Sequence, residues 1–180
     1  FGPAPKFPHA TTIDRLLRQW RTTANDAEPD LDALLMSTLT LTRMADGGIF
    51  DHIGGGFCRY SVDKYWQIPH FEKMLYDNGP LLALYAQAAI ATGESSFFDT
   101  ANATADWMLA DMQADNGGFF SSRDADSEGE EGVYYLWTPE QAQKLLGDDY
   151  TVFVNRFGLD MDTNFEGQWH LTVRAPIAND

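Results

Sequence analysis

The stretch PHFEKMLYDN (69–78) places a histidine, two carboxylates, a lysine, a tyrosine and an asparagine within ten residues. At helical spacing His70, Lys73 and Asp77 share one face, and Glu72 and Tyr76 share a neighbouring one. Phe71, Met74, Leu75 and Leu82 would supply the buried side. A histidine in a first helical turn meets free N–H groups and the positive end of the helix dipole, which disfavour its charged form. A neutral imidazole can serve as a general base near pH 7. The competing reading is a solvated helix start, with His70 packed on Trp66.

A second concentration lies just upstream, in GGIFDHIGGGFCRYSVDKYW (47–66). Three consecutive glycines permit unusual backbone angles and close approach of a ligand. Asp51, His52, Arg59, Tyr60, Asp63 and Trp66 surround them. Arg59 can grip a carboxylate with two parallel hydrogen bonds, and Tyr60 or Trp66 can stack on a sugar ring. A tight structural loop with Arg59 paired to a neighbouring aspartate remains open.

The third is RDADSEGEEG (123–132). Crowded carboxylates raise one another's pKa, which suits Asp124 or Asp126 to general-acid work on a glycosidic oxygen. For Glu130 and Glu131 a solvated hairpin is the preferred reading. The calcium-loop pattern begun at Asp124 fails, because Tyr135 stands where a bidentate glutamate is needed. A similar start at Asp160, Asp162 and Asn164 fails at Phe165 and Leu171. No metal and no cofactor are expected. Cys58 reads as a small packed residue, and His9 and His170 as structural or surface residues.

The elements that must position these groups are mostly helices. The pattern predicts helices over 11–21, capped at Thr11 or Thr12, over 30–48, capped at Asp30, and from Pro69 to Thr92. In the third, Pro80 should force a kink or break near Asn78–Gly79. A fourth is expected over 95–118, burying Phe98, Ala101, Ala105, Met108, Leu109 and Met112. Residues 117–138 read as two short strands joined by an acidic loop. Thr138–Pro139–Glu140–Gln141 is a capping box with proline at the first helical position, so 139–146 is helix, followed by another over 148–158. The tail reads as loop with one strand. The fold class is mainly α, a set of helical hairpins with a small β-hairpin near 117–137.

Composition narrows the partners. With 27 acidic against 12 basic residues, a net charge of −15 argues against nucleic acid and anionic membranes. A single cysteine excludes an intrachain disulfide and a CxxC redox pair. Neither a signal peptide nor a membrane-length apolar run is visible, and a cytoplasmic location is expected. The 180 residues suffice for one domain, and the opening FGPAPKFPHA reads as the middle of a longer protein.

Taken together, APKFP (4–8), GGIFDHIGGGFCRYSVDKYWQIPHFEKMLYDN (47–78), GGFFSSRDADSEGEEGVYYLWT (117–138) and NFEGQWHLT (164–172) resemble the thioredoxin domain-containing, or spermatogenesis-associated, protein family. Its members carry an N-terminal thioredoxin-like domain before a region similar to N-acylglucosamine 2-epimerases and six-hairpin glycosidases. Gly79–Pro80 departs from the Ala-Gln that many members carry after YDN. The resemblance implies that residues 1–180 form the N-terminal portion of an (α/α)6 toroid, without its thioredoxin-like domain. It transfers no catalytic residue.

Two chemistries follow as expectations. A sugar epimerase or isomerase would use His52 and His70 for proton transfer, with Arg59 holding an oxyanion. A glycosidase would use Asp124 or Asp126 as one of two flanking carboxylates. In either, Tyr60, Trp66 and Tyr76 would stack the ring, and Glu72, Lys73 and Asp77 would bind hydroxyls. The alternative is a binding module without chemistry that serves the thioredoxin-like domain. A carbohydrate ligand is expected in all cases, and association of copies through exposed helix faces is expected as well.

Overall fold

The computed structural model describes residues 3–175. Two helical hairpins form its larger half. Helix α1 (Ala10–Thr23) packs on α2 (Leu31–Asp46), and α3 (Leu75–Thr92) packs on α4 (Ser95–Trp107). The links within each hairpin are short, whereas the connections 47–74 and 113–138 are long. Ile13, Leu17, Leu41, Met44, Phe57, Trp66, Leu84, Tyr85 and Phe97 belong to their common core. The Tyr85 hydroxyl, fully buried, donates to the Leu41 carbonyl at 2.7 Å. A smaller core joins Ala142, Leu159 and Leu171 to Trp137, Phe153, Phe157 and Trp169. Helices α5 (Pro139–Leu146) and α6 (Tyr150–Phe157) supply one side of it.

Several ends follow the sequence signals. Asp30 accepts a hydrogen bond from the Ala33 amide at 3.0 Å and caps α2. Thr138 and Gln141 form both bonds of the predicted capping box ahead of Pro139. Helix α1 instead starts at Ala10 after His9, whose left-handed backbone provides no side-chain cap.

The largest departure lies in 69–78. Helix α3 begins at Leu75, not Pro69. Before it, β1 (Tyr60–Ser61) pairs antiparallel with β2 (Pro69–His70), and β3 (Lys73–Met74) pairs with β4 (Ser122–Arg123). The backbone is extended, so its side chains alternate with period two rather than 3.6. Phe71 and Lys73 point inward, while His70 and Glu72 stay half exposed. Because the helix starts late, Pro80 falls in its second turn and costs one backbone bond near the end. The expected break is absent, and α3 runs on to Thr92.

Helix α4 also ends earlier than predicted. At Met108 it widens into a π-helical turn, Met108–Met112, and Gln113 is extended. Its buried face carries Phe97, Thr100, Ala101, Thr104 and Trp107, while Phe98 and Leu109 are exposed. The acidic loop contains one hairpin, β5 (Asp126–Ser127) with β6 (Glu130–Glu131). Its flanks pair elsewhere: β4 with β3, and β7 (Leu136–Trp137) with β8 (Trp169–His170). On α2, Leu31, Leu35 and Leu39 lie exposed one turn apart.

Candidate functional site

The loop after α2 is bent tightly around one carboxylate. Asp51 Oδ1 accepts hydrogen bonds from the amides of Ile53 (3.0 Å) and Gly54 (2.9 Å), and the Asp51 carbonyl accepts from Gly55 N at 2.9 Å. Gly55 must lack a side chain, because a Cβ there would overlap the Ala103 carbonyl on α4. Of the three glycines, only Gly54 borders a cavity; Gly55 and Gly56 face Ala103 and Trp107.

Lys73 reaches this loop from β3. The residue is 1 % exposed, and its ammonium donates to Asp51 Oδ2 and to the Gly55 carbonyl, each at 2.8 Å. Its Nζ also lies 5.0 Å from the Trp107 ring centre and 5.2 Å from that of Tyr135. Burial pushes the Asp51 carboxyl up, but the charge and hydrogen bond of Lys73, helped by the Gly54 and Ile53 amides, hold it below its ordinary value. The sequence predicts Lys73 on a helical face with His70 and Asp77, binding substrate hydroxyls; the extended backbone turns it inward instead.

His52 follows directly. Its Nε2 lies 2.9 Å from the Gly47 carbonyl. A carbonyl can only accept, so Nε2 carries the proton and Nδ1 keeps a lone pair. Burial lowers the ring's pKa to about 4, with the Gly47 bond opposing. The ring is therefore neutral at pH 7. Phe50 meets its edge at 5.5 Å and Phe157 lies at 5.4 Å.

His170, which the sequence offers only as a structural or surface residue, is buried beside the same loop. It is 4 % exposed, and its Nε2 donates to the Gly48 carbonyl at 2.6 Å. The two imidazoles thus hold consecutive carbonyls, Gly47 and Gly48. A Cβ on Gly48 would overlap the Gln67 carbonyl and press on the His170 ring. Burial lowers the pKa of His170, partly offset by the Gly48 and Tyr135 backbone. Its Nδ1 is enclosed and makes no aligned hydrogen bond. A pairing across 122 residues of chain leaves no local signature.

Two cavities meet at His52. The smaller, about 300 Å³, is lined by Phe50, Asp51, Gly54, Tyr135, Trp137 and His170 among others. The larger, about 550 Å³, lies between α2, α4 and α6 and also includes Phe50 and His52. Asp46, Asp99, Asp149 and Arg156 border it, with Phe97 and Phe153 as apolar walls. Burial raises the pKa of Asp46. The Tyr135 hydroxyl is likewise made harder to ionise, first by burial and then by Cys58 and Asp51.

The remaining predicted residues gather elsewhere. None of Arg59, Tyr60, Trp66, His70, Glu72, Tyr76, Asp77, Asp124 and Asp126 lines either cavity. Arg59 pairs with Glu72 at 3.3 Å and lies 5.9 Å from the Tyr76 ring centre. His70 is not in a helical turn: it stacks on Tyr60 at 5.1 Å, and its Nδ1 is 2.7 Å from Glu131. Glu131 is therefore engaged rather than merely solvated. Burial raises the pKa of Asp77, partly offset by Arg59, and its Oδ2 is enclosed without a partner. Trp66, 4 % exposed, belongs to the main core and has no free face for a sugar. Asp63 folds its own loop, accepting from the amides of Gln67 and Ile68. Asp124 and Asp126 are exposed on the hairpin. Cys58 is a buried packing residue whose thiol is pushed up to about 12, chiefly by burial.

A matching segment occurs in rat spermatogenesis-associated protein 20, 42 % identical over 155 residues, covering 81 % of this chain and 19 % of that protein. The human counterpart is 41 % identical over 155 residues, with the same coverage of each chain. Over that segment, the chain belongs to the spermatogenesis-associated protein 20 family. An uncharacterised Caenorhabditis elegans protein is 42 % identical over 158 residues, covering 82 % of this chain and 21 % of its own length. The chain thus spans about a fifth of the curated relatives it matches. No protein-family model matches it.

The fold is shared with carbohydrate-active enzymes. A sugar epimerase from a ruminal bacterium superposes with a TM-score of 0.53 at 12 % identity, over 76 % of this chain and 36 % of the epimerase. A family 76 glycoside hydrolase from a bovine Bacteroides thetaiotaomicron strain gives 0.54 at 14 % identity, over 81 % and 30 %. The architecture is accordingly part of a helical-hairpin toroid, as the resemblance implied. Among the described residues, no helix is long and apolar enough to cross a membrane.

Proposed function

We propose that the paired cavities at His52 bind an unphosphorylated sugar and that His52 moves a proton beside the carbonyl of its open-chain form, as a sugar epimerase or isomerase requires. The observation that carries this reading is a neutral imidazole at the junction of two aromatic-walled cavities. The smaller cavity has room for one ring, with Phe50, Tyr135 and Trp137 as apolar walls and the Asp51 carboxylate to accept from hydroxyls. The larger offers three carboxylates against one guanidinium, which favours neutral substituents and disfavours phosphates. Glycoside hydrolysis fits less well. Asp51 is held ionised by Lys73 and cannot readily give a proton, and Asp124 and Asp126 border neither cavity.

Binding without chemistry is the second reading. It draws support from the low basicity of His52, whose pKa near 4 lies far from the value best suited to a general base at pH 7. Titrating the protein with neutral monosaccharides and their 6-phosphates, followed by saturation-transfer NMR, tests the common ground of both readings. The neutral sugars should bind in the millimolar range or tighter, and His52→Ala should weaken them. Tighter binding of the phosphates, or no effect of His52→Ala, would remove the cleft from consideration.

A further inference from the structure

Lys73 has no place among the cavity walls, yet it touches both ends of the loop that carries His52. Its ammonium holds the Asp51 carboxylate and the Gly55 carbonyl simultaneously, at 2.8 Å each. Asp51 in turn gathers the Ile53 and Gly54 amides, and its own amide donates to the Gly56 carbonyl at 3.0 Å. His52 is therefore suspended within a turn closed by one buried cation. We infer that Lys73 is a positioning residue: it fixes residues 51–55 so that the His52 ring stays at the junction of the two cavities.

Charge balance alone would not require this geometry. A lysine that only neutralised Asp51 could stop at the carboxylate. Lys73 also satisfies the Gly55 carbonyl, which is otherwise buried against α4. The Trp107 and Tyr135 rings flank the ammonium and restrict where it can sit. The functional meaning of this clamp rests on the His52 reading above. Its effect on the ring can be measured without any sugar.

The test compares Lys73→Met with the double variant Asp51→Asn/Lys73→Met, following the His52 ring by NMR titration and folding by thermal melting. The single variant leaves an unpaired buried carboxylate and is expected to fold poorly. The double variant leaves no buried charge and is the decisive one. It should melt near the wild type, while the His52 pKa rises from about 4 by at least one unit as the ring gains water, against the lowering that loss of the Asp51 charge alone would give. A double variant that keeps the wild-type His52 titration would overturn the inference and reduce Lys73 to a counter-charge. If the double variant does not fold, a protection measurement on the wild type decides. The Lys73 ammonium protons should then exchange with solvent slowly enough to be observed, and immediate exchange would overturn the clamp. Loss of sugar binding by the wild type itself would instead count against the His52 reading and leave the clamp standing.

Discussion

Two faces of one short extended segment behave differently. On the inner face, Phe71 and Lys73 are buried, and Lys73 is the one cation paired with Asp51 among the described residues. On the outer face, His70 Nδ1 lies 2.7 Å from Glu131 and Glu72 pairs with Arg59 at 3.3 Å, both in partial contact with water. The chemistry is nearly the same; the solvent is not. Inside, each charge has one opposite charge as partner, and the pair together with the Gly55 carbonyl and the Ile53 and Gly54 amides sets the shape of a loop. Outside, water can replace either partner, so the pairs contribute little to stability.

Removing Lys73 should give the largest effect. In Lys73→Met the Asp51 carboxylate stays buried without its partner, and the expected loss is about 3–5 kcal/mol by urea denaturation. A loss below about 1 kcal/mol would mean that the inner pair is as solvated as the outer ones.

Acid should act next. The His52 pKa in the folded protein, about 4, lies below the ordinary value of 6.5. Between those values the unfolded chain takes up a proton that the folded protein refuses, so stability falls as pH drops from about 6.5 to about 4. The shift corresponds to about 3 kcal/mol at most, with His170 adding in the same direction. Asp51 behaves differently. Its pKa is depressed in the folded state, so its contribution persists through this window and is lost only at lower pH. His52→Gln should flatten the profile between pH 6.5 and 4; an unchanged slope would show that the ring is not held neutral by burial.

The smallest effect belongs to the outer face. Glu131→Gln should cost less than about 1 kcal/mol, and that little should fade in high salt. A larger, salt-insensitive loss would erase the contrast between the two faces.

The same segment shows where sequence reasoning succeeds and fails. Asp30 and Thr138–Gln141 were legible because a cap is a local contract between residues three apart. The polar stretch 69–74 looked helical because its mixed composition fits either period, and only pairing with residues 60–61 and 122–123 selects the extended form. The burial of Lys73 is not legible, since lysine is almost never buried unless paired and its partner Asp51 lies 22 residues away, so it reads as a hydroxyl-binding group on a helical face. The glycines and aromatics around His52 single it out in the sequence, and the structure sets it beside two cavities. Its companion His170 is not singled out, because the contact that buries it arises only when β8, the last strand among the described residues, returns to the loop after α2.

The most direct test of the central claim is deuterium exchange at C2 of neutral aldoses, read by NMR in D₂O with the full-length protein and its His52→Asn variant. The account predicts exchange by the wild type and at least about a 100-fold slower rate in the variant. Exchange that survives the substitution would contradict the role of His52. Sugar binding with no exchange in the wild type would contradict the epimerase reading and leave a binding module.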